Sequence, residues 1–144
     1  MPTRKANASW QGGLKAGTGS FRGESGGIAG PFSFGTRFGD VKGSNPEELL
    51  AAADAACYSM ALSAELEKAG TPAKKVETEA ACTIDRVGEG FKITTMKLVV
   101  RAEVPGVEPA AFQRIAEATK TGCPISSALK GNVDIQLDAK LVSH

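Results

Sequence analysis

Between Leu49 and Leu62 the chain reads LLAAADAACYSMAL, a run that is apolar on nearly every face of a helix and carries one charge, Asp54. The signals at its ends are clear. Asn45 suits the N-cap, Pro46 the first helical position, and Glu48 stands where a capping box places its acid. Glu47 and Glu48 favour the positive end of the helix dipole, and Gly70 with Pro72 stops the helix near Lys68. A helix of this kind has to be buried on all sides. It is roughly 35 Å long at 1.5 Å per residue, and a chain of 144 residues has little left to wrap it. A second subunit is therefore expected to supply part of the cover. The apolar stretch 49–60 is interrupted by Asp54 and reads as too short to cross a bilayer.

Around this helix the pattern alternates. Ala6 to Trp10 and Gly19 to Arg22 read as short strands, and Phe32 to Phe38 as a third with a glycine interruption. Ser25-Gly26-Gly27 marks a turn. Residues 76–85 and 91–104 read as long strands joined by a hairpin at Val87-Gly88-Glu89-Gly90. Residues 108–120 read as a helix with Ala111, Phe112, Ile115, Ala116 and Ala118 inward, and residues 124–129 as a short helix. The final alternation of Val133, Ile135, Leu137, Ala139 and Leu141 is a strand with one buried face. Strands in runs with helices set between them predict an α+β fold, in one domain spanning 1–144.

Composition excludes several classes. A net charge of +1 with 23% charged residues lacks the basic excess of a nucleic-acid binder. The opening MPTRKANASW has no apolar run behind its basic residues, so the expected location is the cytosol. Three cysteines, Cys57, Cys82 and Cys123, with no CxxC spacing and one histidine, His144, leave a zinc site short of ligands. Catalysis by a Ser-His-Asp or Cys-His set lacks its histidine for the same reason. Thiol chemistry assisted by arginine or carboxylate groups remains. In a reducing compartment any disulfide is expected to be transient.

The thiols differ in setting. Cys57, in the middle of the apolar helix, reads equally as a small packed hydrophobe. Cys123 sits between two helices with Pro124 behind it, where a thiolate faces unpaired N–H groups; it reads either as a capping or packed residue or as a reactive thiol, and helix position favours it over Cys57 as the one of lower pKa. Cys82 lies in an alternating strand and reads as packed. Cys57 and Cys123 form an attacking and a resolving pair only if their Cα atoms lie within about 7 Å.

The segment Thr36-Arg37-Phe38, the run KGSNPEELLAAA from Lys42 to Ala53, and AACYSMAL from Ala55 to Leu62 together resemble the OsmC/Ohr family of organic hydroperoxide reductases. Gly122-Cys123-Pro124-Ile125-Ser126 resembles that family's second cysteine motif, and the likeness runs from Trp10 to the last strand. The place of Arg37, just ahead of the central helix, is similar to the osmotically inducible branch. The resemblance implies antiparallel sheets wrapped around the long buried helix in an intertwined homodimer. It also implies a peroxidatic Cys57, a resolving Cys123, and Arg37 and Glu47 assisting. One departure is Asp54, one turn before Cys57, where a carboxylate raises the thiol pKa unless it is paired or turned away.

On that resemblance the expected substrate is an organic hydroperoxide in preference to hydrogen peroxide, with Phe32, Phe34 and Phe38 offering an apolar entrance. The expected reductant is a dithiol of the dihydrolipoyl type, and no metal or other cofactor is needed. Glu47 and Cys57 stand ten residues apart on one helix, roughly 15 Å along its axis. If both serve one site, Glu47 is expected to come from a partner chain. Two rivals stay open: a general thiol–disulfide oxidoreductase, and a non-catalytic binding dimer with Cys57 merely packed.

Overall fold

A computed structural model describes residues 1–143, so His144 lies outside the described residues. The fold is α+β and divides into two compact units, Met1–Leu49 and the chain from Leu50 onward.

In the first unit β1 (Ala6–Gln11), β2 (Thr18–Gly23) and β3 (Ala29–Phe32) form an antiparallel sheet in the order β1-β2-β3. Gly19 pairs with Trp10 on one side and Phe32 on the other. These two rings close over it with centroids 5.4 Å apart, and a Cβ on Gly19 would lie 2.6 Å from each. The missing side chain is what lets the aromatic pair form.

The strand expected over 32–38 stops at Phe32, and Phe34–Phe38 is instead a short helix, α1. Ser33 causes the switch. Its Oγ accepts from the Thr36 N–H at 3.2 Å, while Thr36 Oγ1 accepts from the Ser33 N–H at 2.9 Å. This reciprocal box caps a helix whose residues alternate like a strand.

The central helix α2 spans Pro46–Lys68. Asn45 Oδ1 accepts from the Glu48 N–H at 2.8 Å, and Asn45 Nδ2 donates to the Thr36 carbonyl at 2.9 Å, so one side chain starts α2 and ties it to α1. At the far end Gly70 takes a φ of 87°, with its N–H on the Glu67 carbonyl and the Thr71 N–H on the Leu66 carbonyl.

The helix is longer than its apolar stretch, and at 23 residues it has the length and composition to span a bilayer. Its inward stripe nevertheless packs into protein. Tyr58, Leu62 and Leu66 recur every fourth residue and are fully buried, with Asp54 one turn earlier on the same stripe. The expected burial on every face is not met within one chain. Ala52, Ala53, Ala56 and Ala64 are exposed, and Met60 is 75% exposed.

The second unit covers that stripe with β4 (Lys75–Val87), β5 (Gly90–Glu103) and, after α3 (Pro109–Gly122) and α4 (Pro124–Leu129), β6 (Asp134–Ser143). β4 and β5 form the expected hairpin, with Val87 opposite Gly90. The all-antiparallel expectation fails at β6, which runs parallel to β5 from Thr95–Asp134 to Glu103–Ser143. A parallel neighbour requires a crossover, and α3 with α4 is that crossover. Met96, Leu98, Val100 and Ala102 of β5 fill the core together with Phe112 and Ala116 of α3. Thr119, not Ala118, completes the inner face of α3. Its Oγ1 donates to the Ile115 carbonyl at 2.8 Å, which satisfies the hydroxyl within the helix, while Ala118 is exposed.

Tyr58 carries a polar group into this core. Its hydroxyl donates to the Ala116 carbonyl at 2.7 Å, linking α2 to α3. Burial first, then the charges of Glu117 and Cys123, pushes its ionisation well above the usual tyrosine range. The folded chain therefore holds the proton after the unfolded chain has released it. The stability this gives is present below the unfolded value of about 10 and is lost as pH rises beyond it. Tyr58→Phe is expected to cost about 1–2 kcal/mol near neutrality. Urea unfolding at neutral and strongly alkaline pH should show that deficit shrinking as the parent loses stability.

Candidate active site

Each unit holds one arrangement of its own. In the first, Arg37 of α1 and Glu47 of the first turn of α2 form a two-pronged pair: Nε donates to Oε1 at 2.9 Å and Nη2 to Oε2 at 3.0 Å. The Glu47 side chain is 8% exposed and the Arg37 side chain 36%. The guanidinium also lies 5.2 Å from the Phe38 ring centroid. The fork holds Arg37 in one orientation and leaves an Nη uncommitted to Glu47, in a geometry suited to an oxygen anion. The pair forms within a single chain.

In the second unit the break between α3 and α4 brings Cys123 to α2. Its N–H donates to the Thr119 carbonyl, its carbonyl accepts from Ser127, and Pro124 begins α4 without needing a donor. The Cys123 and Cys57 sulfurs lie 2.8 Å apart, within hydrogen-bond contact of each other. Cys123 is fully buried, whereas Cys57 is partly open. Two thiols placed this way can be joined as a disulfide without moving an element.

The Cys57 thiol is pushed above its ordinary range. Burial is the main cause, followed by its hydrogen bond with Cys123, and the charges of Cys123 and Asp54 add to it; a hydrogen bond from the Ile125 N–H pulls the other way. Asp54 is the group whose place the sequence left open. It is fully buried, not turned to solvent, and among the described residues it is joined to no cation: Oδ1 accepts from Ser126 Oγ at 2.7 Å and lies 3.7 Å from Cys123 Sγ. Ile125 and Ser126, the last two residues of the Gly122-Cys123-Pro124-Ile125-Ser126 motif, enter the site through these contacts, a role that the motif alone does not assign them.

Cys82 lies on β4, half-buried against the core. Among the described residues no three His, Cys, Asp or Glu side chains converge as a metal site would require.

An α+β frame thus sets two thiols in contact, one on a central helix and one on a crossover. The comparisons make this specific. The family model described as OsmC-like protein matches residues 39–138. The chain is 41% identical over 138 residues to peroxiredoxin OsmC of Escherichia coli, covering 95% of this chain and 96% of that protein. It is 34% identical over 109 residues to an organic hydroperoxide resistance protein of Xanthomonas axonopodis pv. citri, covering 74% and 72%. Among solved structures, the organic hydroperoxide resistance protein OhrB of Bacillus subtilis superposes with a TM-score of 0.70 at 27% identity, covering 94% of this chain and 98% of that one. The chain belongs to the OsmC-like family.

Proposed function

We propose that this protein is a cysteine-based peroxidase that reduces organic hydroperoxides to alcohols, with Cys57 as the attacking thiol and Cys123 as the resolving one. The observation that carries this reading is the 2.8 Å separation of the two sulfurs inside an OsmC-like fold. The names of the relatives, a peroxiredoxin and organic hydroperoxide resistance proteins, support the reaction class.

The Cys57 thiolate attacks the distal peroxide oxygen; the O–O bond breaks, the alcohol leaves, and Cys57 becomes a sulfenic acid. Cys123 condenses with it, releasing water and forming the disulfide. A dithiol reductant of the dihydrolipoyl type then restores both thiols by exchange. Electrons pass from the dithiol through the disulfide to the peroxide, so the cycle closes without another cofactor. The expected setting is the reducing cytosol.

Arg37, held by Glu47, supplies positive charge to the thiolate and to the peroxide oxygens as they gain charge. The protein works as a homodimer, in which a partner covers the exposed side of α2 around Ala52, Ala56 and Met60; their exposure in one chain supports this. Phe34 and Phe38, whose ring centroids lie 5.1 Å apart, favour organic over hydrogen peroxide.

The test is free-thiol counting with intact mass, before and after one equivalent of cumene hydroperoxide. Loss of two thiols per chain with a Cys57–Cys123 crosslink is expected. Three thiols left reduced would favour the non-catalytic dimer, and oxidation only by disulfide substrates would favour the general oxidoreductase. A second expectation concerns the fork: Arg37→Ala should slow single-turnover oxidation of Cys57 by about 100-fold. Arg37→Lys should restore little of the rate, because an ammonium cannot make the two-pronged pair. An unchanged rate in both would remove Arg37 from the chemistry.

A further inference from the structure

The thiol cycle leaves one buried group of the second unit without a task. Asp54 stands on α2 one turn ahead of Cys57 and is completely buried. Its Oδ1 is held by the Ser126 hydroxyl at 2.7 Å and reaches Cys123 Sγ at 3.7 Å, within range of an S–H···O contact. Its Oδ2 is buried with no hydrogen-bond partner among the described residues. Stability alone does not account for such a group, since an apolar residue of similar volume is usually as stable or more so. Packing cannot explain the second oxygen, and anchoring Ser126 requires only the first.

The chemistry at Cys123 supplies the task. Cys123 is fully buried and must give up its proton to attack a sulfenic sulfur. Releasing a free thiolate there would place a second anion beside the carboxylate, far from water. Proton transfer within the same step avoids that.

Resting on the peroxidase reading above, we propose that Asp54 accepts the proton of Cys123 during disulfide formation, with Ser126 positioning the carboxylate. The Cys123 sulfur attacks the sulfur of the Cys57 sulfenic acid, the S–S bond forms and the S–O bond breaks. The Cys123 proton passes to Asp54 and then to the departing hydroxide, which leaves as water. Cys123 is oxidised and the Cys57 sulfur is reduced to the disulfide level, so no outside electron enters. Asp54 is a catalytic residue of the second step, and Ser126 is a positioning residue.

The other titratable groups around this cluster are Cys57 and Tyr58 on α2 and Glu117 on α3, which acts on Tyr58. α4 presents the Ser126 hydroxyl and the Ile125 N–H. The Tyr58 proton is committed to the Ala116 carbonyl, which leaves Asp54 as the acceptor at Cys123.

The experiment mixes reduced protein with one equivalent of cumene hydroperoxide. Sulfenic acid is followed by dimedone trapping and the disulfide by intact mass, across about pH 6 to 8. The parent should form the disulfide at a rate nearly independent of pH, with little trapped adduct. In Asp54→Asn, Cys57 should still be oxidised, but the disulfide should form about 100-fold more slowly. Trapped sulfenic acid should accumulate, and the rate should climb with pH, because solvent hydroxide must now take the Cys123 proton. Ser126→Ala, which keeps the carboxylate, should slow the step by less than about tenfold and retain the flat profile. It carries the test if the first variant does not fold. Disulfide formation in Asp54→Asn at the parental rate, or slow formation with a flat profile, overturns the role. A parental rate in Ser126→Ala overturns the positioning. If the parent forms neither sulfenic acid nor disulfide, the peroxidase reading fails and the Asp54 role falls with it.

Discussion

Cys57→Ser is expected to lose peroxide turnover by on the order of 10³-fold or more while keeping its fold. A hydroxyl is close to a thiol in shape, and at this partly open position it can still accept from the Ile125 N–H, so the helix has no reason to rearrange. What disappears is the nucleophile. A serine hydroxyl does not ionise near neutrality and cannot hold oxygen as a sulfenic acid. Cys123→Ser should behave differently, oxidising once at Cys57 and then stalling before the disulfide. Steady-state turnover with a dihydrolipoyl dithiol, alongside circular dichroism, distinguishes the two. Normal turnover in Cys57→Ser would sink the proposed cycle.

The second large effect is on stability. Phe112→Ala should destabilise the protein by about 3–5 kcal/mol and lower the thermal midpoint by roughly 10 °C or more. Phe112 is fully buried in the cluster that joins Tyr58, Met96 and Val100. The strand neighbours are held by their ladder with β4 and β6, so the space left by the ring cannot close by sliding one element. Because α3 ends at Cys123, loosening it should also slow disulfide formation. A midpoint within about 3 °C of the parent would mean that the core collapses around the gap far better than a close-packed interior usually does.

Much of the fold was legible because local chemistry and tertiary structure agree. Asn45 and Gly70 bracket α2, Gly88 and Gly90 turn the β4–β5 hairpin, and Pro124 opens α4, each for a reason contained in a few residues. The misreadings have equally definite causes. Phe32, Phe34 and Phe38 mimic a strand period, and the decisive signal was the modest Ser33–Thr36 box. The direction of β6 is invisible to alternation, which is the same whichever way a strand runs.

The site was partly legible. The cysteines could be named, and the family resemblance favoured Cys57 where helix position favoured Cys123. Their contact, across 66 residues of sequence, and the Asp54–Ser126 bond, across 72, arise only when the crossover folds onto α2.

That crossover has a mechanical side. In the reduced protein only packing and hydrogen bonds hold the α3–α4 passage against the central helix. A bond between the two sulfurs would convert this joint into a covalent buckle and enclose most of the second unit in a ring. Such a ring restricts the unfolded chain far more than the folded one. A molecule waiting for its reductant would then be harder to unravel than one waiting for peroxide, and its lifetime against unfolding would carry a memory of the last oxidant it met.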